Sequence, residues 1–441
     1  LNGDSFLDYV YIDNNVVKAK LGVPKKVNIL KEVVTPSRSR YIFDYTRSMP
    51  TFEDPSSKWL FSSSKIYDGF TGDGGPDTMY YKYSYSNSKH HIMERDNFGF
   101  DTVTTKQFDN FGPNAICYRS TVEVFHNNNF LFKGLKKQES MYEGTGSLYM
   151  SKTYEWLRKE ISTGDIIPNG MAHCFGPFYP ALNQEDTWYF GSSLSNQIHT
   201  RKLYLHGPHG NIKTYVNSNN VNYNDDDLRA EITYTYDLTN HFTAMVDEIK
   251  VYNSSNSLLQ RRRAQYLAST GKVKKISTFN GSGFVDTDLT YDIYGNIAKI
   301  EFPPNNSNKR YNYKYTYDPH HMAYPETVTD TFGYSSHIIY DYKFGKPIQI
   351  TDMAGNKMEY TYYSDGKPKS VLAPNEINSA PFTIFFDYWD ESVSFNSYRW
   401  AKTRHYDPLN QGNEFETVTI SDGMGRVVQS KVKATINGND S

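Results

Sequence analysis

Between Arg310 and Asp318 the chain reads RYNYKYTYD, with tyrosine at every second position (Tyr311, Tyr313, Tyr315, Tyr317) and Asn312, Lys314 and Thr316 between. An extended strand turns successive side chains to opposite faces. The spacing therefore predicts a ribbon with one phenol face and one polar face, whereas a helix would scatter the rings around its circumference. The same alternation occurs in YYKYSYS (Tyr81, Tyr83, Tyr85), EITYTYD (Ile232, Tyr234, Tyr236) and MEYTYYSDG (Tyr360, Tyr362). Each is expected to be a strand.

The pattern repeats along the chain. Thr329, Asp330 and Gly333 recur 22 residues later as Thr351, Asp352 and Gly355; Tyr340 and Gly345 recur as Tyr362 and Gly366, and Lys346-Pro347 as Lys367-Pro368. Looser copies lie upstream, in YLASTGKVKKI from Tyr266, YDIYGNIAKI from Tyr291, and YTYD at Tyr234–Asp237 and Tyr315–Asp318. Tyrosines 236, 266, 291, 317, 340 and 362 are spaced by 30, 25, 26, 23 and 22 residues, so the period tightens toward the C-terminus. In each unit the Tyr closes a strand and the following Asp (Asp292, Asp318, Asp341) can bond its own backbone to start a turn. A Gly shortly after supplies positive φ, a region that Asn, as at Asn296, also tolerates. A β-branched run such as NIAKI opens the next strand. Two strands and two turns fit in about 22 residues at roughly 3.3 Å per strand residue. Neighbouring hairpins would then pair edge to edge, with rings meeting across strands at about 0.2–1 kcal/mol per pair.

Composition sharpens this reading. The 441 residues exceed the usual single-core limit, so a repetitive or multi-part architecture is expected. There are 38 Tyr and 26 Phe, yet mean hydropathy is only −0.68. Much of the apolar area must come from rings that carry a hydroxyl, which suits sheets with two partly wet faces. The 47 basic and 49 acidic residues leave a net charge of −2, without the basic footprint of a nucleic-acid binder. No apolar run approaches the length of a membrane span. Two cysteines, Cys117 and Cys174, can form one bridge at most, and two free buried thiols are the expectation.

Tyr-Asp-x-x-Gly-Asn alternating with TDxxG resembles the YD repeat of RHS proteins, most densely over residues 286–372. SDGMGRVVQSK continues it: Asp422, Gly423, Gly425 and Arg426 look like the DGLGR segment common in such chains. Upstream, Tyr81–Asp109 is similar to the region of SpvB and TcB-type toxin-complex proteins in which a Tyr-rich strand leads to an RGFxGF segment, with Arg95–Phe100 at that place. The opening LNGDSFLDYV looks like the end of an FG-GAP propeller repeat, the chain being cut within the last blade. Its Asn2, Asp4 and Asp8 are candidate calcium ligands by their alternating spacing, with the first Asp of the motif absent and Ser5 in place of the usual Gly.

The resemblance implies an all-β fold: a repetitive antiparallel YD-repeat sheet spiralling into a curved, hollow, shell-like wall. It implies four segments: residues 1–12, the end of a propeller repeat; 13–230, a β-rich SpvB/TcB-like region with degenerate YD units; 231–372, the YD-repeat strip; and 373–441, further RHS-type strands with the DGMGR segment. The implied role is structural and non-enzymatic, enclosing and helping deliver a C-terminal effector polypeptide, in a secreted or cell-surface bacterial protein. The implied partners are that effector, the rest of the shell, and a toxin-complex or secretion-system component. Self-cleaving members carry their cleavage Asp in a D-P-x-G-L core; YDPHHM and YDPLNQ lack Gly-Leu, so no protease role passes to Asp318 or Asp407.

Other chemistry is thinly marked. The pairs His90-His91, His320-His321 and His206/His209 lack the spacing of zinc motifs, and no further cofactor is expected. His173 and Cys174 are adjacent, and on a strand they would point to opposite faces. Two rival readings remain. Exposed aromatics, including Trp156, Trp188, Trp389 and Trp400, suit a cell-surface adhesin or glycan binder. A β-rich glycosidase would need two carboxylates roughly 5–10 Å apart in space, which sequence does not reveal.

Overall fold

The computed structural model describes residues 8–22, 26–70, 78–168, 177–191, 197–223, 225–377, 379–389, 399–409, 414–433, 435–436 and 439–440. The chain is all-β, with 61% of it in strands. A single turn of 3-10 helix, Pro208–Gly210, is the helical element among the described residues. Chain contacts divide it into two compact units, residues 1–233 with 250–259, and residues 234–249 with 260–441. A short hairpin, Tyr9–Asp13 with Val16–Lys20, forms a separate two-stranded sheet, so the expected boundary at residue 12 falls inside a strand.

In the first unit the strands from Arg40–Arg47 to Leu228–Asp237 are 7–14 residues long and pair antiparallel with their chain neighbours. Thr78–His91 pairs with Asp96–Phe108, which pairs with Cys117–Phe125. Leu148–Glu160 pairs with Phe178–Phe190, and that strand with Gln197–His206. In the second unit the strands shorten to 5–8 residues from Val273–Phe279 to Val427–Val432, and again each pairs with the next. Alternation fixes what each face carries. One face runs Ile300–Tyr313, Tyr315–Val328, Ile338–Ile350, Ile350–Met358 and Tyr360–Val371 as cross-strand pairs. The other runs Lys275–Asp288, Asp288–Glu301 and Glu301–Asn312.

No dense aliphatic core covers these faces. Among the described residues only Phe70, Phe98, Ala181 and Phe382 are buried apolar side chains. The buried set is otherwise Ser, Thr, Asp and a few larger polar groups, so cohesion rests on strand pairing, ring contacts and hydrogen bonds. Within RYNYKYTY, Tyr313, Tyr315 and Tyr317 are half-buried while Lys314 and Thr316 are exposed. Tyr311, at 36% exposure, is the ring that stays wet, in edge-on contact with Tyr313 at 5.1 Å.

Candidate functional site: the tyrosine–aspartate turns

The repeat tyrosines form a ladder. In five successive units the strand ends in a β-bulge at the tyrosine: between Gln265 and Tyr266, Thr290 and Tyr291, Thr316 and Tyr317, Ile339 and Tyr340, and Thr361 and Tyr362. A bulge leaves one residue of the opposing strand unpaired and disturbs the carbonyls beside it. The tyrosine of the following unit supplies the donor. Tyr266 pairs with Val273, and the Tyr291 hydroxyl donates to the Val273 carbonyl at 2.7 Å. Tyr291 pairs with Ile297, whose carbonyl accepts from Tyr317 at 2.9 Å. Tyr317 pairs with Pro325, which accepts from Tyr340 at 3.0 Å; Tyr340 pairs with Pro347, which accepts from Tyr362 at 2.6 Å. Proline suits the acceptor position because it has no N–H left to satisfy there. Burial pushes the Tyr317, Tyr340 and Tyr362 hydroxyls above their usual titration range, which keeps them as donors.

The aspartates close the turns. Asp292 accepts from the Tyr294 and Asn296 amides, and the Asn296 side chain bonds its other oxygen. Asp352 does the same with Ala354 and Asn356. Asp330 accepts from Phe332 and Tyr334, and Asp341 from Lys343. Gly295, Gly333 and Gly355 donate to the carbonyl of their Asp and sit at φ of 88°, 87° and 85°. This is a type I turn followed by a left-handed residue, the three-residue hairpin loop in which glycine is least strained. Gly345 and Gly366 also lie at positive φ, the latter donating to Tyr363. Asp422 repeats the turn with Met424, Gly425 and Arg426; the Arg426 guanidinium replaces the Asn side chain, and Gly423 occupies a turn position.

Asp318 differs from the others. It is 1% exposed and takes four backbone amides, from His320, His321, Ala323 and Tyr324. Burial pushes its carboxyl up, but those amides outweigh it and hold it well below the usual carboxylate range. Asp407 is buried and accepts from the Leu409 amide. These carboxylates are committed to their own backbone, which leaves them poorly placed to shuttle protons to a substrate.

Of the proposed calcium ligands, Asn2 and Asp4 lie outside the described residues, and the Asp8 carboxylate accepts the Gly22 amide at 2.8 Å. Among the described residues no three His, Cys, Asp or Glu side chains are grouped to hold a metal. Cys117 is free and only half-buried, at the start of the strand Cys117–Phe125 and next to the exposed Tyr118, so the expectation of a buried thiol is corrected there. His173 and Cys174 lie outside the described residues. His91 stacks on Phe98, and His321 packs on Tyr342 at 4.7 Å. Trp156 donates to the Lys136 carbonyl and Trp188 stacks on His199. Arg261 and Arg263, from the run QRRRAQ at Gln260–Gln265, share Glu248.

Two nodes in the first unit carry no motif. Asp54, 3% exposed, takes Ser56, Ser88, Asn97 and the Lys58 ammonium. Burial raises its pKa, and these hydrogen bonds together drive it well below the ordinary value. Asp186 likewise binds Gln184 on its own strand and His199 and Arg201 on the neighbouring one. Partners 34 and 43 residues away from Asp54 leave no local signal in the sequence.

No family model and no curated protein matches the chain. Solved structures do. A crystal structure of TcdB2-TccC3 without its hypervariable C-terminal region superposes with a TM-score of 0.68 at 9% identity, over 97% of this chain and 33% of that one. The Photorhabdus luminescens Tc holotoxin pore, carrying a substitution in TccC3, gives 0.68 at 10% identity, over 97% and 32%. A second TcdB2-TccC3 crystal structure gives 0.66 at 10% identity, over 90% and 29%. The chain spans about a third of the length of these structures. The likeness expected from the YD units therefore holds at the level of fold: this chain folds as does a third of a toxin-complex TcdB2-TccC3 protein.

Proposed function

We propose that this chain is a wall segment of a toxin-complex-like shell, a structural and non-enzymatic part of a secreted or cell-surface protein that encloses and helps deliver an effector polypeptide. The observation that carries the reading is a fold match over 97% of the chain, at a TM-score of 0.68, to a structure whose name pairs TcdB2 with TccC3. The repeat supports it physically. Each unit satisfies its own turns and hands one acceptor to the next, so the sheet extends without a thick core. Walls built this way present hydroxyl and amide groups as well as rings, which would solvate a partly unfolded passenger. No calcium or other cofactor is needed for this role. The described residues include no helix long and apolar enough to cross a membrane, which leaves strand-based insertion untouched.

Protease protection tests the reading. In the full-length polypeptide that contains this chain, segments downstream of the wall should resist digestion under native conditions. They should become sensitive when the wall is unfolded by mild denaturant. Equal digestion of the downstream segment in the full-length protein and in isolation would overturn enclosure.

A further inference from the structure

In the first unit, at the end of the Leu148–Glu160 strand, a buried cluster of polar side chains has no carboxylate in contact with it among the described residues. Lys159 is 2% exposed and His206 is 9% exposed. Lys159 and Tyr179 are direct cross-strand partners, so their side chains share a face. The Tyr179 ring stands edge-on to His206, with centroids 6.3 Å apart. Gly164, whose carbonyl accepts from the Lys159 ammonium at 3.1 Å, lies against the backbone of Gly207, next to His206. Three polar side chains from three strands thus converge. Of their atoms, the Tyr179 hydroxyl and His206 Nδ1 are buried without a hydrogen-bond partner among the described residues. Gly210 packs beside the tyrosine: a Cβ there would lie 3.5 Å from its ring and 3.9 Å from its hydroxyl, in ordinary contact.

A buried ammonium bonded to one carbonyl still has two N–H groups to satisfy. Charges in such settings are normally paired. The charged neighbours are Lys213, which is exposed and repels, and Asp165, which is exposed and attracts without a contact to the ammonium. Residues 169–176, which follow in the chain, contain no Asp or Glu. We propose that Lys159, Tyr179 and His206 form a buried receptor for one small monovalent anion, such as chloride. The ammonium and the phenol donate to it directly. His206 already bonds the Tyr204 backbone, so its Nδ1 carries a proton toward the anion only when the ring is charged.

The electrostatics agree. Burial, then repulsion from Lys213, pushes the Lys159 ammonium below its ordinary pKa. Burial, then Lys159, does the same to His206. An anion between them opposes both shifts, so binding takes up protons and strengthens as pH falls through the histidine range.

Thermal unfolding of the chain at fixed ionic strength tests this, with sodium chloride exchanged stepwise for sodium gluconate, whose anion is too bulky to enter. The midpoint should rise with the logarithm of chloride concentration, as for any ligand of the native state, and more steeply at pH 6 than at pH 8. Tyr179→Phe, which removes only the hydroxyl, should weaken the apparent chloride affinity several-fold. Lys159→Met should abolish the response. If Lys159→Met does not fold, the phenylalanine variant and a bromide-soaked crystal carry the test, with an anomalous peak expected beside the Lys159 ammonium. Identical midpoints in chloride and gluconate at both pH values, or an unchanged response in Tyr179→Phe, would overturn the proposal.

Discussion

The two units reach the same antiparallel sheet by different means. In the second, strands of 5–8 residues are punctuated by one recurrent device: bulge, tyrosine, Asx turn and left-handed glycine. In the first, strands run to 13 or 14 residues, and buried carboxylates act as nodes, Asp54 tying down a connection and Asp186 bridging two neighbouring strands. The difference is one of redundancy. The repeat spreads stability over many small equivalent bonds, whereas the long-strand region concentrates it in a few nodes with distant partners. Single substitutions should therefore hurt the first unit more.

The largest effect is expected at Asp54. Asp54→Ala removes the buried acceptor shared by Ser56, Ser88, Asn97 and the partly exposed Lys58 ammonium and strands those donors together, so a loss of about 3 kcal/mol is expected in denaturant unfolding of the first unit. The pH dependence has a definite sign. The folded carboxyl titrates below its unfolded value, so its contribution is full above the unfolded pKa and disappears as pH falls through and below about 4. Wild type should lose stability in acid more steeply than Asp54→Ala. Parallel acid limbs for the two proteins would mean that Asp54 is not the node described, and the contrast between the units would weaken.

Next comes the glycine of the repeat turn. Gly355 sits at φ 85°, and a Cβ there would meet nothing within 4 Å, so substitution tests backbone strain alone. Gly355→Val should cost about 1–2 kcal/mol, and Gly355→Asn should recover most of it because Asn tolerates the left-handed region. At Gly366 the same change adds a clash, since a Cβ would lie 2.9 Å from the Phe344 ring, and the cost should be greater. Equal stability of Gly355→Val and wild type would show that the turn is not pinned by this residue.

This contrast also explains what the sequence revealed. The period-2 tyrosines and the Asp-x-x-Gly turns were legible because strand, bulge and turn chemistry are local: Asp292 bonds residues two and four positions on. The link from Tyr317 to Ile297 spans 20 residues, yet repetition made even that pairing guessable, though not the hydroxyl-to-carbonyl ladder itself. Asp54 and Asp186 were invisible, because nothing near either residue names its partners on other strands. Asn2 and Asp4 illustrate the opposite limit: a motif was readable, but it lies outside the described residues.

The ladder predicts an intermediate effect. Tyr317→Phe deletes one hydroxyl and strands the Ile297 carbonyl at a bulge, so about 1 kcal/mol should be lost. Tyr83, in an equally Tyr-rich strand of the first unit, reaches only Ser64 among the described residues, at a marginal 3.4 Å, whereas its neighbour Tyr85 donates to the Phe61 carbonyl at 2.8 Å. Tyr83→Phe should be close to neutral, while its ring keeps its packing on Phe61. If the two variants cost the same, the hydroxyl-to-carbonyl bond adds nothing beyond the packing of the ring.

The smallest effect concerns surface charge. Lys275 bridges Asp286 at 2.8 Å and Asp288 at 3.4 Å on the polar face of the second unit, with all three side chains about a third exposed. Exposed pairs gain little, because water and mobile ions screen them and ordering the side chains costs entropy. Lys275→Met should cost at most about 0.5 kcal/mol at low salt, and nothing measurable near 1 M, where the screening length is about 3 Å. Arg201 in the first unit reaches Asp186, which is 7% exposed at its side chain and is shared with His199. Removing Arg201 leaves that buried carboxylate with fewer donors, and salt cannot replace them. Arg201→Met should therefore cost more, and its cost should persist in high salt. The comparison is decided by the difference between two salt titrations. A salt-insensitive Lys275 effect, or an Arg201 effect that vanishes with salt, would reverse the assignment of distributed bonds to the repeat and concentrated ones to the long strands.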